Sequence, residues 1–343
     1  MTSLGSSPTT TIRIGARTSP LARAQADQVA ASLRARGVDT EFVGITTTGD
    51  VDQRSLTQIG GTGVFVGAVR EALYAGRIDV AVHSLKDLPT APAPELDVAA
   101  VPPREDPRDV LIGRTLDTLR DGDRIGTGSP RRAIQLGALA ERLGITLEVV
   151  EIRGNVDTRI GRAAGGDVAA VVLAAAGLRR LGHLSSADAD NGDHDAVTTV
   201  KGQAAQILSV DDMVPAPGQA ALALEIHESL SEPARAAVRA LDDPAGRAES
   251  LAERAFLAFL EAGCTAPVGA RAVLEGVRGR DLDLTMRVVI GRTVLNNLSE
   301  STNTASLLRR RLSGTTTDPG QFGAEAATAI LDELRMPQRA RHR

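Results

Sequence analysis

Two stretches of the chain repeat one chemical pattern. Ile14-Gly-Ala-Arg17-Thr-Ser19-Pro20-Leu21 and Ile125-Gly-Thr-Gly128-Ser129-Pro130-Arg131-Arg132 each place a glycine-containing turn after an apolar run, then Ser-Pro at the start of a helical one. Ser suits the N-cap and Pro the first helical position. The unbonded N–H groups and positive end of such a helix attract anions, and an arginine at the turn adds a fork that grips a carboxylate. A third turn, Ile152-Arg153-Gly154-Asn155-Val156-Asp157-Thr158-Arg159, brings two more arginines, and Arg180 closes an apolar run. So many arginines at strand ends, in a chain of net charge −4, imply a ligand with several carboxylates. The plainer reading is that Ser-Pro only caps helices and that Arg159 and Arg180 form surface ion pairs.

Two further places could carry chemistry. The run Ile78 to Asp87 ends a buried strand in His83, Ser84, Lys86 and Asp87, at the carboxyl edge where α/β sheets hold ligands. Asp87 either caps a turn before Pro89 or acts as a general acid/base that steadies a cation. Lys86 either neutralises a substrate acid or is solvated. Cys264, the single cysteine, lies in Glu261-Ala-Gly-Cys-Thr-Ala-Pro-Val-Gly269. It reads as a small buried hydrophobe or as a reactive, modified thiol in a glycine-flanked turn.

The elements that must position these groups follow from hydrophobic period. Short β-branched runs alternate with Ala-rich helical stretches from Thr11 to about Pro102, the rhythm of an α/β domain, and the alternation restarts after the Pro-rich, charged segment Val101 to Pro107. Val168 to Leu178 reads as a buried strand, and Ala187 to Gly202 as an acidic loop. Met213 to Gly218 reads as a second crossing, followed by the strand Ala220 to Ile226, which is taken to return to the first sheet. Glu232 to Leu260 is helical with a break at Asp242-Asp-Pro244; strands over Gly269 to Glu275 and Leu282 to Ile290 and a helix from Asp318 to Leu334 make a third, smaller α+β domain.

Composition excludes other classes. With 343 residues, 42% hydrophobic and 24% charged, the chain is a globular one of roughly two to three domains. Its acidic balance and its 2% of aromatic residues argue against nucleic acid. The longest apolar run falls well short of the roughly 20 residues of a membrane helix. Met1 to Thr11 lacks the basic start and apolar core of a secretory signal, which places the protein in the cytoplasm. The five histidines are scattered, so no metal site is expected.

With these residues assembled, the sequence resembles the porphobilinogen deaminase (hydroxymethylbilane synthase) family along nearly its whole length. The resemblance rests on Arg13 to Ala22, His83-Ser-Leu-Lys-Asp87-Leu-Pro89, Arg104-Glu-Asp-Pro-Arg-Asp109 and Gly126 to Arg132. It continues through Arg153-Gly-Asn-Val-Asp-Thr-Arg159, Ala176 to Gly182, Pro215-Ala-Pro-Gly-Gln219 and Gly263 to Gly269, all in family order. It implies an α/β fold: two periplasmic-binding-protein-like (type II) domains with two hinge crossings plus a smaller C-terminal α+β domain. The first domain would be residues 1–103 and 212–227, with the catalytic Asp and one cleft wall. The second would be 104–211, with the arginine-rich anion sites, and the third 228–343, with the cofactor-bearing Cys. The resemblance further implies a transferase of haem biosynthesis with a dipyrromethane cofactor joined to Cys264 by a thioether. This primer accepts four porphobilinogen units head to tail, each with loss of ammonia, before water releases hydroxymethylbilane. The product would pass to uroporphyrinogen-III synthase, and the protein would be a monomer.

By matched position, the resemblance makes Asp87 the catalytic carboxylate. Cys264, Lys86, Ser129, Arg131, Arg132, Arg153 and Arg254 match cofactor-binding positions; Arg17, Ser19, Gln25, Phe65, Arg153, Arg159 and Arg180 match substrate-binding ones. The chain departs from the family pattern at Gln58 and Thr62, where lysines are common, at Gly128, where Ser is common, and at Ala220, where Gly is usual. A second reading is a two-domain small-anion binding protein that kept the clamp and lost catalysis; it leaves the third domain and Cys264 without a purpose.

Overall fold

The computed structural model describes residues 11–46, 63–185, 196–261, 266–298 and 307–335. Two compact units result, one from the chain up to Arg104 together with Ala221–Arg247, the other from Glu105–Ala220 with Ala248 onward. No described helix is long and apolar enough to cross a membrane.

In the first unit β1 (Ile12–Arg17), β2 (Thr40–Ile45) and β3 (Val80–Ser84) alternate with helices α1 (Pro20–Arg34) and α2 (Gly63–Tyr74), and β4 (Leu96–Ala100) follows. Strands β1, β2 and β3 are parallel, as crossover helices require. The strand that follows the second Pro-rich segment, Leu222–His227, inserts antiparallel between β3 and β4, giving the order β2-β1-β3-β11-β4. It is numbered β11 in chain order.

The second unit repeats this plan. It begins with β5 (Asp109–Ile112), β6 (Asp123–Gly126), α3 (Pro130–Leu143), β7 (Leu147–Val150), α4 (Val156–Ala164), β8 (Ala170–Ala174) and α5 (Ala175–Arg180). Strands β9 (Ala196–Val200) and β10 (Gln203–Ile207) complete the order β7-β6-β8-β5-β10-β9, whose first three members are parallel. Helices α6 (Glu232–Arg239) and α7 (Pro244–Phe259) flank the Asp242-Asp-Pro244 break. Past α7, the antiparallel sheet of β12 (Val268–Arg278), β13 (Asp281–Gly291) and β14 (Leu307–Thr316) is accompanied by α8 (Arg292–Leu298) and α9 (Pro319–Arg335). Its inner face packs Ala270, Leu284, Met286, Val288 and Ile290 against Phe256 and Ile330.

Two sequence expectations change. The apolar run Val168 to Leu178 is not one strand: it turns at Ala174 into α5, because its alanines carry helix propensity as well as burial. Part of the expected acidic loop, Ala196–Val200, is a strand paired with β10. Residues 187–195 of that loop lie outside the described residues, as does the tail from Met336. Strands β4, β10 and β14 had no expectation, and each is short, Ala- or Arg-rich, or without clean alternation.

One buried polar group links the layers of the first unit. Glu225 of β11, 2% exposed, accepts hydrogen bonds from Arg70 of α2 at 2.7 Å (Nη2 to Oε1) and 3.0 Å (Nε to Oε2). His83 Nε2 of β3 lies 3.1 Å from Oε2. Burial opposes ionisation of Glu225, but the close approach of His83 and the hydrogen bonds from Arg70 outweigh it and bring the carboxyl down to about 2. Since the folded value lies below the ordinary 4.5, the stability this ionisation confers is complete above pH 4.5 and disappears as pH falls toward 2. Wild type and Glu225→Gln should therefore differ in unfolding free energy at neutral pH and converge between pH 4.5 and about 2. Denaturant titrations at stepped pH check this; a gap of constant size across the window would contradict it.

Candidate functional site

The two Ser-Pro starts have the backbone expected of them and differ in what their side chains do. Ser19, with φ −62° and ψ 148°, accepts from Ala22 N at 3.4 Å, and Pro20 opens α1. Gly15 lets β1 pass Ile78, whose side chain would lie 2.3 Å from any Cβ placed there. Arg17 is half-buried at the end of β1, and Gln25 is buried on α1. Ser129 occupies the cap of α3 but its hydroxyl makes no capping bond. Gly126 would place a Cβ 2.8 Å from Ile152, and Gly128 would place one 2.9 Å from the Ile152 carbonyl oxygen, so a serine at 128 would be tight against this backbone.

Arg131 and Arg132 turn inward beneath the helix start. Arg131 Nη2 donates to Asp109 Oδ2 at 2.8 Å, while Arg132 donates to Asp109 Oδ1 through Nη2 at 2.7 Å and Nε at 3.2 Å. Asp109 opens β5 and is fully buried. Gln219 Nε2 adds a bond to Oδ1 at 2.9 Å and another to the Pro107 carbonyl at 2.6 Å. The remaining donors reach main-chain oxygens, Arg131 Nη1 to Val214 at 2.6 Å and Arg132 Nη1 to Val172 at 2.9 Å. Burial works against the Asp109 charge, yet the two guanidinium groups hold its carboxyl well below the usual carboxylate range. Among the described residues Arg131 Nε, which is buried, has no partner.

Around this core stand the other arginines of the second unit. Asn155 caps α4 by accepting from Thr158 N at 2.8 Å, and Gly154, at φ +104°, makes the turn that only glycine takes easily. Arg153 is exposed and pairs with Glu151 at 2.6 Å. Arg159 Nε donates to the Gly154 carbonyl at 2.9 Å, and among the described residues no carboxylate pairs with it. Its proton affinity is lowered by burial and by the positive charges of Arg132 and Arg153. Arg180 Nη2 donates to the Ala220 carbonyl at 2.7 Å, its buried Nε has no partner among the described residues, and burial brings the group down to about 10. Its neighbour Arg179 points elsewhere, to Glu105 at 2.9 Å and Asp106 at 3.1 Å.

In the first unit, Asp87 is exposed at the end of a short 3₁₀ turn, Leu85–Asp87, directly after β3. Leu85 and Leu88 are buried on either side, and Leu85 N donates to the Ala221 carbonyl at 3.0 Å, so the turn is anchored while its carboxylate faces solvent. Lys86 is half-buried beside it. Arg254 lies half-buried on α7 next to Glu253, whose carboxylate accepts from Gly218 N at 2.7 Å and Ala272 N at 2.9 Å. Phe65 belongs to the first turn of α2; its side chain, like Cys264, Gln58 and Thr62, lies outside the described residues.

The structure thus gathers Arg131, Arg132, Arg153 and Arg159 in the second unit, and places Arg17, Ser19, Lys86 and Asp87 at strand ends of the first. Sequence reasoning missed Asp109 as the carboxylate on which two of the arginines close. Its signal was present: an acid at the head of the apolar run Asp109-Val-Leu-Ile-Gly113 has to be paired if the strand is buried.

Removing the Asp109 charge leaves two buried guanidinium groups without a counter-charge, so Asp109→Asn should cost roughly 3–5 kcal/mol of stability. Urea denaturation checks this, and a loss below about 1 kcal/mol, the level of an exposed pair, would contradict it. Ala220 supplies a second test. It has φ +74°, a left-handed conformation whose strain on a non-glycine residue is roughly 1–2 kcal/mol. That offsets the loss of about 1 kcal/mol that Ala→Gly ordinarily brings. Ala220→Gly should therefore leave stability unchanged or raise it by up to about 1 kcal/mol, while Ala223→Gly in β11 should lower it; equal losses in both would show Ala220 to be unstrained.

Comparison with known proteins adds the following. Residues 12–234 match the family described as porphobilinogen deaminase, dipyromethane cofactor binding domain, and residues 248–332 match porphobilinogen deaminase, C-terminal domain. Porphobilinogen deaminase 1 of Streptomyces coelicolor is 49% identical over 327 residues, covering 94% of this chain and 93% of the relative. Porphobilinogen deaminase of Leifsonia xyli is 49% identical over 268 residues, covering 77% of this chain and 76% of the relative.

Proposed function

Since the chain belongs to the porphobilinogen deaminase family, we propose that it condenses four porphobilinogen molecules head to tail, with loss of ammonia, on a covalent dipyrromethane primer. Hydrolysis then releases hydroxymethylbilane for tetrapyrrole biosynthesis. The supporting observation is the arginine cluster of the second unit. Arg131, Arg132 and Arg159 are desolvated, Arg153 lies close enough to depress Arg159 further, and one buried carboxylate, Asp109, stands among them. Like charges held out of water are costly unless an anion joins them. Each pyrrole ring of substrate or primer carries an acetate and a propionate, and guanidinium forks match carboxylates.

The same donor set fits the cofactor. The partnerless buried Nε atoms of Arg131 and Arg180 are donors that carboxylate oxygens satisfy. On this reading Arg131, Arg132, Arg153, Arg254, Lys86 and Ser129 hold the dipyrromethane, and Cys264 Sγ binds it. When bound, it supplies the electron-rich pyrrole carbon at which the first bond forms. Arg17, Ser19, Gln25, Phe65, Arg159 and Arg180 hold the incoming porphobilinogen.

Asp87 does the chemistry. Its Oδ atoms accept from the substrate's pyrrole N–H, and their negative charge stabilises the cation that develops as ammonia leaves. An anchored turn with an exposed carboxylate suits this role, since the group is positioned by Leu85 and Leu88 and stays free to meet a ligand. The binding-protein reading is not favoured, because the family match includes residues 248–332, which a two-domain clamp does not need.

Intact mass and turnover test the proposal together. Purified wild type should exceed its sequence mass by one dipyrromethane, and Cys264→Ser should lose both the adduct and activity. Asp87→Asn should keep the adduct and lose about 100-fold or more in kcat. A wild type that is fully active at its bare sequence mass would refute the cofactor assignment; near-wild-type turnover in Asp87→Asn would remove that residue from the mechanism.

A further inference from the structure

The Arg70–Glu225–His83 group has no part in the chemistry just described, and its three members sit where they can govern it. His83 is four residues before Asp87 on the strand that leads into the 3₁₀ turn. Arg70 is on α2, five residues after Phe65. Glu225 is on β11, between β3 and β4 in the sheet. Along β3 and β11 the residues Ala81, His83, Ala223 and Glu225 face α2, whose apolar side presents Val66 and Val69. Such a helix-on-sheet contact fixes a distance well and a rotation or sliding position poorly, because apolar contacts are not directional. A bidentate guanidinium–carboxylate pair fixes both.

Two observations indicate that position rather than stability is what this group provides. First, β3 and β11 are already joined by a regular antiparallel ladder from Leu222↔Ser84 to Glu225↔Ala81, so the His83–Glu225 contact is not needed to pair them. Second, the β11–β4 ladder shifts register between Leu224 and Glu225, an irregularity of the kind that re-aims a side chain beside a site. A buried ion pair is in general no more stabilising than apolar residues of the same volume, and its best-attested use is to single out one arrangement.

We propose that Glu225 is a positioning residue for the reaction: through Arg70 and His83 it fixes helix α2 against the strand end that carries Lys86 and Asp87. The inference rests on the porphobilinogen deaminase reading, since it assumes that Lys86 and Asp87 meet the substrate. Misplacing such groups by about 1 Å is enough to cost about 100-fold in rate.

The test uses the full-length protein carrying its cofactor. Glu225→Gln should retain the cofactor mass and lose roughly tenfold to 100-fold in kcat with porphobilinogen. The decisive variant is Arg70→Met/Glu225→Leu, which replaces the ion pair with apolar groups of similar volume. Its melting temperature should equal or exceed that of wild type, yet kcat should stay as low as in Glu225→Gln, because stability is restored and direction is not. Arg70→Lys, which keeps the charge and loses the fork, should have a kcat between those of Glu225→Gln and wild type, and it carries the test if Glu225→Gln does not fold. If the double variant regains both stability and wild-type kcat, the group is merely structural and the proposal is wrong. A double variant that melts well below wild type overturns it too, since the pair would then be holding the fold. Wild type in the same assay separates the premises: failure to consume porphobilinogen overturns the functional reading and this inference with it, whereas normal consumption with fully active variants overturns the inference alone.

Discussion

The second unit depends on one buried carboxylate. Asp109 has no exposed surface, and it exists as an anion there only because Arg131, Arg132 and Gln219 surround it. Each of those partners also grips a different part of the backbone: Arg131 takes Val214, Arg132 takes Val172, and Gln219 takes Pro107. The start of α3, the middle of strand β8, the head of β5 and the segment from Val214 to Gln219 are thereby tied to a single pair of oxygens. Two cations around one anion leave an excess of positive charge in a desolvated place, and on the proposed function it is this excess that a polycarboxylate meets.

The two Ser-Pro motifs look alike in sequence and act differently in space because of where their arginines stand. Arg17 precedes its Ser-Pro and ends β1, so it stays near the strand edge. Arg131 and Arg132 follow theirs and lie in the first turn of α3, on the side that packs against the sheet. A side chain in the first turn of a helix that covers a sheet is directed into the layer between them, which is why this pair became core rather than surface. The hydroxyl of Ser19 then caps its helix, while that of Ser129 does not.

Periodicity made most of the elements legible. The parallel strands and long helices of both units carry alternation or a helical stripe that a linear reading detects, and the break at Asp242-Asp-Pro244 falls between α6 and α7. What stayed hidden was of two kinds. Strands such as Gln203–Ile207 and Leu307–Thr316 contain alanine, glutamine or a run of arginines, and only a neighbouring strand makes them strands. The acceptors were hidden too: arginines announce themselves in a sequence, but their partners lie 22 residues away for Asp109 with Arg131 and 155 away for Glu225 with Arg70. Counting arginines thus overstated how many are free for a ligand and gave no sign of which are structural.

Among the described residues each unit thus holds a buried acid shared by two basic side chains, Asp109 with two arginines and Glu225 with an arginine and a histidine. The difference between the two is informative. Both guanidinium groups at Asp109 are permanently charged, so that group keeps its excess charge at any pH near neutrality. At Glu225 the carboxylate is matched by the single bidentate fork of Arg70, with His83 beside it, so one guanidinium balances one acid. A balanced group has no reason to attract an anionic ligand, and a surplus one does. The acid of the first unit is thus suited to holding layers in place behind Asp87, and the acid of the second to organising the charges that a polycarboxylate meets.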